Sequence, residues 1–297
     1  MLKYGIIFFV GVAMIKLVAS DLDGTIIDKD NDIFEDNFNA IRDINKSNIP
    51  FVVCTGKTYS IYKGLCSSFH ASYGIFGNGT SIIDLKTGEK IYQKLLDIAD
   101  VEKVIALAKK DNLHVHIYTN NHIITEELLY LDLRNYKLQK KHIYNNRLSF
   151  KVVPDLLKYV QRNNLEISKV VISSTSSLDT VKAEIESTIN VDVFNIKKYG
   201  EFKDKIIDKE YEYLDVIPKN VNKGTALEYL SNYLNIDKKE ILAVGDNLND
   251  LSLLKTAGVG IAVNNAYSEL KQVANYTTKN PVEKGGFAEA VYKFMKF

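Results

Sequence analysis

The sequence predicts an α/β protein whose parallel sheet with crossover helices is interrupted by an inserted α+β domain. Near both ends of the chain, short apolar runs alternate with amphipathic helical stretches, which is the rhythm of a parallel sheet. Between residues 84 and 216 this rhythm gives way to hairpins and alternating strands. With 297 residues, of which 46% are hydrophobic, the chain is long enough to fold as two domains.

The first part of the α/β domain is predicted over residues 1–83. Its first strand is LVAS at residues 17–20, and the polar stretch TIIDKDNDIF that follows indicates a hairpin or flap. Apolar residues at helical spacing predict a helix from Phe34 that ends before Pro50. Two further strands are predicted at Phe51 to Cys54 and at YGIF, which precedes an Asn-Gly turn.

The N-terminal stretch MLKYGIIFFVGVAMIK has one lysine, a short apolar run and small residues, as a signal peptide does. The apolar run is too short to span a bilayer, and Met14 opens a stretch that already contains a complete first strand. We therefore favour residues 1–13 as a non-native or upstream-start extension, and a working signal is the alternative.

The inserted domain, or cap, is predicted over residues 84–216. It begins with a hairpin, and an amphipathic helix follows that places Val101, Val104, Ile105 and Ala108 on one side. In LHVHIYT, apolar residues alternate with His114, His116 and Tyr118, so the strand has one apolar and one polar face. The polar face either points toward a substrate or consists of solvated sheet residues, and the second interpretation is favoured. A zinc site is disfavoured because no third ligand is evident.

The α/β rhythm returns over residues 217–297, which are predicted as the second part of the first domain. A helix is predicted from Asn222, and a last helix from Gly286. Between them, strands at EILAVGD and VGIAV alternate with helices at NDLSLLKTAG and AYSELKQVA.

Charge and cysteine content exclude several functional classes. Lys and Arg number 38 against 37 for Asp and Glu, so no overall field favours nucleic acid or an anionic membrane surface. The two cysteines, Cys54 and Cys66, are too few for a disulfide framework and are expected to be reduced thiols of a cytoplasmic protein. An anionic ligand must therefore be bound by a local site.

Polar residues follow several of the predicted strands. Asp21 and Asp23 follow the first strand, Thr55 and Gly56 the second, and GDNLND at residues 245–250 a later one. Because ligands of open α/β sheets bind beyond the carboxyl ends of the strands, these residues are expected to form one site. Lys223 begins a helix, where an anion is also favoured.

These residue types suit phosphoryl transfer. Asp21 is the natural nucleophile, because a carboxylate can form a covalent aspartyl phosphate. Asp21 and Asp246 are candidate ligands for Mg²⁺, and Asp23 can protonate the leaving oxygen and later activate water. The donors that would stabilise the transferred group are Thr55, Gly56, Lys223 and Asn249. Each of these four motifs alone is a weak indication and is compatible with a helix cap. Four such motifs in order, each at the end of a predicted strand or the start of a helix, are hard to explain as caps.

The motifs resemble those of the haloacid dehalogenase superfamily. The matching segments are Asp21-Leu22-Asp23-Gly24-Thr25, Thr55, Lys223 and Gly245 to Asp250, and the insertion after the second motif resembles that of the Cof-like hydrolases. The resemblance covers nearly the whole chain, including FGNGTSI before the insertion and IPKNVNKGTAL after it. It implies a Rossmann-like core, a mobile cap and Mg²⁺-dependent hydrolysis of phosphate monoesters.

The resemblance also implies a role for each matching residue. Asp21 is expected to be nucleophile and metal ligand, Asp23 the acid and base and a ligand through its backbone carbonyl, and Asp246 the third protein ligand. The residues expected to bind phosphate are Leu22 through its N–H, Thr55, Gly56, Lys223 and Asn249. Asp250 is expected to orient the lysine or a metal-bound water.

Two positions depart from the family pattern. Lys57 stands where the family usually has arginine, so the positive charge is kept but the planar fork is lost, and its part in binding substrate is open. Asp215 stands where many relatives have glutamate, and no catalytic role is assigned to it.

The leading hypothesis is a Mg²⁺-dependent phosphatase of the cytoplasm that acts on small phosphate monoesters, such as sugar phosphates or related metabolites, through an aspartyl phosphate. The alternatives are a sugar phosphomutase and a non-catalytic protein that binds a phosphorylated ligand. A dehalogenase is disfavoured, because by the resemblance that chemistry does not use an acid at the position of Asp23. The expected partner is a small phosphorylated metabolite, with neither nucleic acid nor membrane, and the sequence leaves the oligomeric state open.

Overall fold

Two β-sheets organise the protein, as seen in a computed structural model that describes residues 14–30, 32–119, 122–127, 149–198 and 211–297. The predicted N-terminal extension lies outside the described residues. The described strands are β1 Leu17–Ser20, β2 Phe51–Cys54, β3 Tyr73–Phe76, β4 Ser81–Asp84, β5 Lys90–Gln93, β6 His114–Thr119, β7 His122–Thr125, β8 Ser149–Val152, β9 Ile167–Ser174, β10 Val191–Lys198, β11 Tyr211–Pro218, β12 Ile241–Gly245, β13 Val259–Ala262 and β14 Tyr276–Thr277.

The described α-helices connect and cover these strands. They are α1 Glu35–Lys46, α2 Tyr59–Ser68, α3 Ile98–Lys110, α4 Leu156–Arg162, α5 Asp179–Thr188, α6 Lys223–Tyr233, α7 Leu251–Thr256, α8 Ser268–Val273 and α9 Gly286–Phe294. Among the described residues, no helix is both long and apolar enough to cross a membrane. Cys54 and Cys66 are buried free thiols.

The first sheet has eight strands in the order β14-β13-β12-β1-β2-β3-β4-β5. The strands from β14 to β3 are parallel, and β4 and β5 add an antiparallel hairpin at one edge. The central strand β1 is fully buried and pairs with β12 on one side and with β2 on the other. Such a reversal of strand order opens a crevice beyond the carboxyl end of the central strand, and this is where open α/β sheets bind ligands.

The sheet is closed on one face by helices from both ends of the chain. Helix α1 buries Ala40, Ile41 and Ile44 and packs against α9. The fully buried Asn37 links the two helices, because its side-chain oxygen accepts a hydrogen bond from the Ala288 N–H at the start of α9. Its amide group donates to the carbonyl oxygens of Ile26 and Val282.

The second sheet has six strands in the order β10-β11-β9-β6-β7-β8, antiparallel except for β7 and β8. Helices α3, α4 and α5 cover one face, where the predicted apolar residues of β6, Val115 and Ile117, join their core. On the other face, Tyr118 packs into the core of the first sheet. The favoured prediction that His114 and His116 are solvated is wrong, because both side chains are buried.

The hairpin predicted to open the inserted domain belongs to the first sheet. The sequence predicts that the insertion starts at residue 84, whereas β5 pairs with β4, which itself pairs with β3. The hairpin pattern is the same in either sheet, so only the pairing partner decides between them. The chain passes to the second sheet after Gln93, and the last strand of that sheet ends at Pro218. The division of the chain into domains at residues 84 and 216 stays a prediction.

The buried Asn37 provides a test of how the two ends of the chain are held together. We expect Asn37→Ala to lower the free energy of unfolding by about 2 to 4 kcal/mol, since each buried backbone group left without a partner costs about 1–3 kcal/mol. Urea denaturation followed by circular dichroism measures the loss. Asn39→Ala, on the partly exposed side of the same helix, is the control and should change stability by less than about 0.5 kcal/mol. Equal effects from the two variants would contradict a special role for Asn37.

Candidate active site

A buried lysine lies at the centre of the crevice beyond β1. Lys223, the first residue of α6, is fully buried, and its Nζ lies 2.5 Å from Asp21 Oδ1 and 2.6 Å from Asp250 Oδ1. Burial alone would lower the pKa of Lys223, but the charges of the two carboxylates outweigh it and raise that pKa above its usual value. The ammonium group is therefore fixed between carboxylates that follow β1 and β12.

Three carboxylates surround this single ammonium group. Side-chain oxygens of Asp21, Asp246 and Asp250 all lie within 4.8 Å of one another. Burial, helped by the neighbouring carboxylates, raises the pKa of Asp21 to about 7 and holds the pKa of Asp246 well above its usual value. Three negative groups against one positive group leave the cluster short of positive charge, and hard carboxylate oxygens are the ligands that Mg²⁺ takes. The donor set therefore fits a divalent cation.

Asp250 differs from the other two carboxylates in how its oxygens are used. Its Oδ1 accepts from Lys223, and its Oδ2 accepts from the N–H groups of Asp246 and Asn247 at 3.1 Å each. Asp250 thus holds the lysine and the loop after β12, which favours Asp21 and Asp246 as the side chains that face a cation.

The turn after β1 brings Asp246 close to the backbone. The Leu22 carbonyl oxygen accepts hydrogen bonds from the N–H groups of Thr25, Ile26 and Ile27, which closes the turn. Gly24 adopts a φ of +87°, and a Cβ at this position would collide with the Asp246 carboxylate. Glycine is required here for both reasons, because the left-handed region and the close approach each exclude a side chain.

The loop after β2 is fixed to the loop after β3. The Thr55 N–H donates to the Ile75 carbonyl, and the Thr55 carbonyl accepts from the Asn78 N–H. The Thr55 hydroxyl accepts from the Lys57 N–H at 3.2 Å. Thr55 and Gly56 are thereby presented at the end of β2, where the sequence predicts phosphate donors.

Asn78 connects this loop to Asn249 and to the second sheet. Its side-chain oxygen accepts from Asn249 Nδ2 at 2.9 Å, and its amide group donates to Asp215 Oδ2 at 3.2 Å. Lys169 on β9 donates to the same Asp215 oxygen at 2.9 Å and to the Gly56 carbonyl at 3.2 Å. A buried ion pair of the second sheet therefore contacts Gly56 and Asn78, and Asn78 in turn contacts Asn249.

Sequence reasoning does not single out Lys169, identifies Asn78 only as part of a turn, and assigns no catalytic role to Asp215. A lone lysine in the apolar stretch ISKVVI and a lone aspartate in YLDVI were a usable signal, because buried charges are normally paired.

The Asp23 carboxylate contacts two side chains that follow β2. Its Oδ1 accepts from Lys57 Nζ at 2.8 Å and from the Tyr62 hydroxyl at 2.5 Å, while Lys57 Nζ also donates to the Tyr62 oxygen at 2.8 Å. The three side chains form a closed triangle. Lys57, whose function the sequence left open, thus contacts the predicted acid and base, and Tyr62 carried no signal in the sequence.

Lys169 lies close to aromatic side chains of the second sheet. The Lys169 ammonium group lies 4.6 Å from the centre of the Tyr118 ring, and the His116 ring lies 5.4 Å from the same ring. Burial, with the charges of His114 and Lys169, lowers the pKa of His116 well below its usual value. Burial also lowers the pKa of His114, whose Nε2 lies 3.0 Å from a backbone carbonyl oxygen. Both imidazoles are therefore neutral in the folded protein near pH 7.

The chain is similar to known proteins in both sequence and structure. The profile of the haloacid dehalogenase-like hydrolase family matches residues 18–291. Phosphatase YwpJ of Bacillus subtilis is 27% identical over 293 residues, covering 91% of this chain and 96% of its own. The 5-amino-6-(5-phospho-D-ribitylamino)uracil phosphatase YwtE of the same organism is 28% identical, covering 91% and 95%. A solved haloacid dehalogenase-like hydrolase from B. subtilis superposes with a TM-score of 0.78 at 22% identity, covering 95% of this chain and all of its own, and shows the same fold.

The buried histidines predict a pH dependence of stability. A histidine whose pKa is lowered by folding stays neutral in the native state, whereas the unfolded state takes up a proton below about pH 6.5. We therefore expect stability to fall as the pH drops below that value, by up to about 1.4 kcal/mol per pH unit for each histidine.

The matched variants are His116→Phe, which keeps a ring beside Tyr118, and His122→Gln at an exposed position of the same sheet. Thermal unfolding between pH 5.5 and 7.5 should show a smaller loss on acidification in His116→Phe and an unchanged loss in His122→Gln. An unchanged profile in His116→Phe would show that His116 does not cause the dependence.

Proposed function

The chain belongs to the haloacid dehalogenase-like hydrolases, and from this we propose that it hydrolyses small phosphate monoesters, such as sugar phosphates or related metabolites, with Mg²⁺ and through an aspartyl phosphate. Phosphatase activity itself agrees with the names of its relatives. The observation that carries the finer proposal is the position of Asp21, at the end of the central strand and among the carboxylates around Lys223.

Asp21 and Asp23 have different roles in the proposed reaction. In the first step a carboxylate oxygen of Asp21 bonds to phosphorus, the bond from phosphorus to the ester oxygen breaks, and Asp23 gives that oxygen its proton. In the second step water attacks phosphorus, Asp23 takes a proton from it, and the bond to Asp21 breaks. Phosphate leaves, and both aspartates return to their starting state.

The donors around Asp21 would bind the phosphoryl group. Lys223 is already held against Asp21 by Asp250, so its charge is in place before the substrate arrives. The other proposed donors are the Leu22 N–H, the Thr55 hydroxyl, the Gly56 N–H and the Asn249 amide. Asn78, as the acceptor for Asn249 Nδ2, orients that amide group.

The carboxylates of Asp21 and Asp246, with the backbone carbonyl of Asp23, would hold the Mg²⁺. When bound, the ion offsets the negative charge that the carboxylates and the phosphate bring together. Burial, together with the neighbouring carboxylates, raises the pKa values of Asp21 and Asp246, and a bound cation would favour their charged forms.

The first test is removal of the nucleophile. Asp21→Asn should abolish turnover of p-nitrophenyl phosphate, because an amide does not form the covalent intermediate, and EDTA should abolish it in the unchanged protein. Asp30→Asn, at an exposed position of the following loop, is the control and should retain full activity. Full activity of Asp21→Asn, or in EDTA, would overturn the proposal, and transfer of the phosphoryl group to an added sugar phosphate would identify a mutase instead.

The second test is stabilisation by the metal. A ligand that binds only the folded state raises its stability, and carboxylates with raised pKa values must lose protons before they bind a cation. We therefore expect Mg²⁺ to raise the melting temperature more at pH 8 than at pH 5.5, since the pKa of Asp21 lies at about 7. Asp246→Asn should remove most of the shift at pH 8. A shift that is equal at both pH values, or that survives in Asp246→Asn, would contradict the assigned ligands.

A further inference from the structure

We propose that Tyr62 is a positioning residue for the acid and base Asp23. Tyr62 and Lys57 each donate a hydrogen bond to the Asp23 carboxylate, and the two donors together fix its direction, which a lysine alone does not. The inference rests on the proposed function of Asp23 and adds a residue that its motif does not contain. The Tyr62 hydroxyl contacts the Asp23 carboxylate, so the proposed effect of Tyr62 passes through Asp23.

The geometry places two donors on one carboxylate oxygen. Asp23 Oδ1 accepts from the Tyr62 hydroxyl at 2.5 Å and from Lys57 Nζ at 2.8 Å. Lys57 also donates to the Tyr62 oxygen at 2.8 Å, which leaves the tyrosine proton for Asp23. A hydroxyl whose oxygen accepts from a cation is a stronger donor, because hydrogen bonds in a chain polarise one another.

Of the three side chains, Tyr62 is the most deeply buried. It is fully buried within α2, while the side chains of Asp23 and Lys57 are 42% and 26% exposed. A lysine carries its charge on a flexible four-carbon stem and offers no planar fork. The fixed point of the triangle is therefore the tyrosine hydroxyl, and the helix that carries it determines where the Asp23 carboxylate lies.

The direction of the Asp23 carboxylate matters most when the leaving oxygen is basic. A general acid must lie within hydrogen-bond reach of the oxygen that it protonates, and it contributes about 10²–10⁴-fold to rate. A weakly basic leaving group such as p-nitrophenolate departs with little protonation, whereas phenolate requires more. Loss of the positioning residue should therefore be seen with phenyl phosphate and hardly with p-nitrophenyl phosphate, two esters of similar shape.

The experiment measures kcat/KM of the full chain with Mg²⁺ for both esters, because kcat/KM reports the steps up to release of the phenol. For Tyr62→Phe we expect a loss of about tenfold or more with phenyl phosphate and of less than about threefold with p-nitrophenyl phosphate. Tyr59→Phe on the same helix, where Tyr59 packs against Phe76, is the matched control and should leave both values unchanged. Inhibition by inorganic phosphate should be the same in all of these variants.

A rescue variant separates positioning from damage to the fold. Lys57→Arg in the Tyr62→Phe background supplies two donors in one plane and should recover at least part of the lost activity with phenyl phosphate. Equal losses with the two esters, no loss with either, or no recovery with arginine would each overturn the proposed role of Tyr62. The proposed function fails separately, if Asp21→Asn still turns over both esters.

Discussion

The ion pair network of Lys223 is the interaction on which the site and much of the first sheet depend. Its ammonium group contacts Asp21 after β1 and Asp250 after β12, and its own position is set by the start of α6, where Asn222 and Thr225 cap each other. Removal of one partner of a buried pair typically costs about 3–5 kcal/mol, because the other charge is left buried and uncompensated. One lysine thus connects Asp21, the loop after β12 and a helix that follows the second sheet in sequence.

The second sheet takes part in the site through a similar but separate pair. Lys169 and Asp215 neutralise each other, and their remaining hydrogen bonds reach the Gly56 carbonyl and the Asn78 amide. The loops that carry Gly56 and Asn78 therefore have a polar support from the second sheet. On that sheet, the rings of His116 and Tyr118 lie beside each other, and the Lys169 ammonium group lies over the Tyr118 ring.

Apolar runs and strand-end motifs made the architecture predictable, whereas side-chain partners were not. Strand β2 has the predicted bounds, because a short run of buried apolar residues has few alternatives in a parallel sheet. The hairpin of β4 and β5 belongs to the first sheet, which its pattern alone does not identify, since the pattern would be the same in the second sheet. Alternation in β6 separated its two faces but did not show that His114 and His116 are buried. The contact of Tyr62 with Asp23 depends on how α2 packs, which no local pattern encodes.

The pairing of β1 with β12 also delays completion of the first sheet during biosynthesis. Leu17 pairs with Ile241, and the second sheet is translated in between. At a synthesis rate of about 5–20 residues per second, β12 leaves the ribosome on the order of ten seconds or more after β1. During that interval the nascent chain carries Asp21 without Lys223, and one edge of β1 has no permanent neighbour. A chain that terminates early therefore lacks Lys223 beside Asp21, and its unpaired β1 edge is exposed to chaperones and proteases.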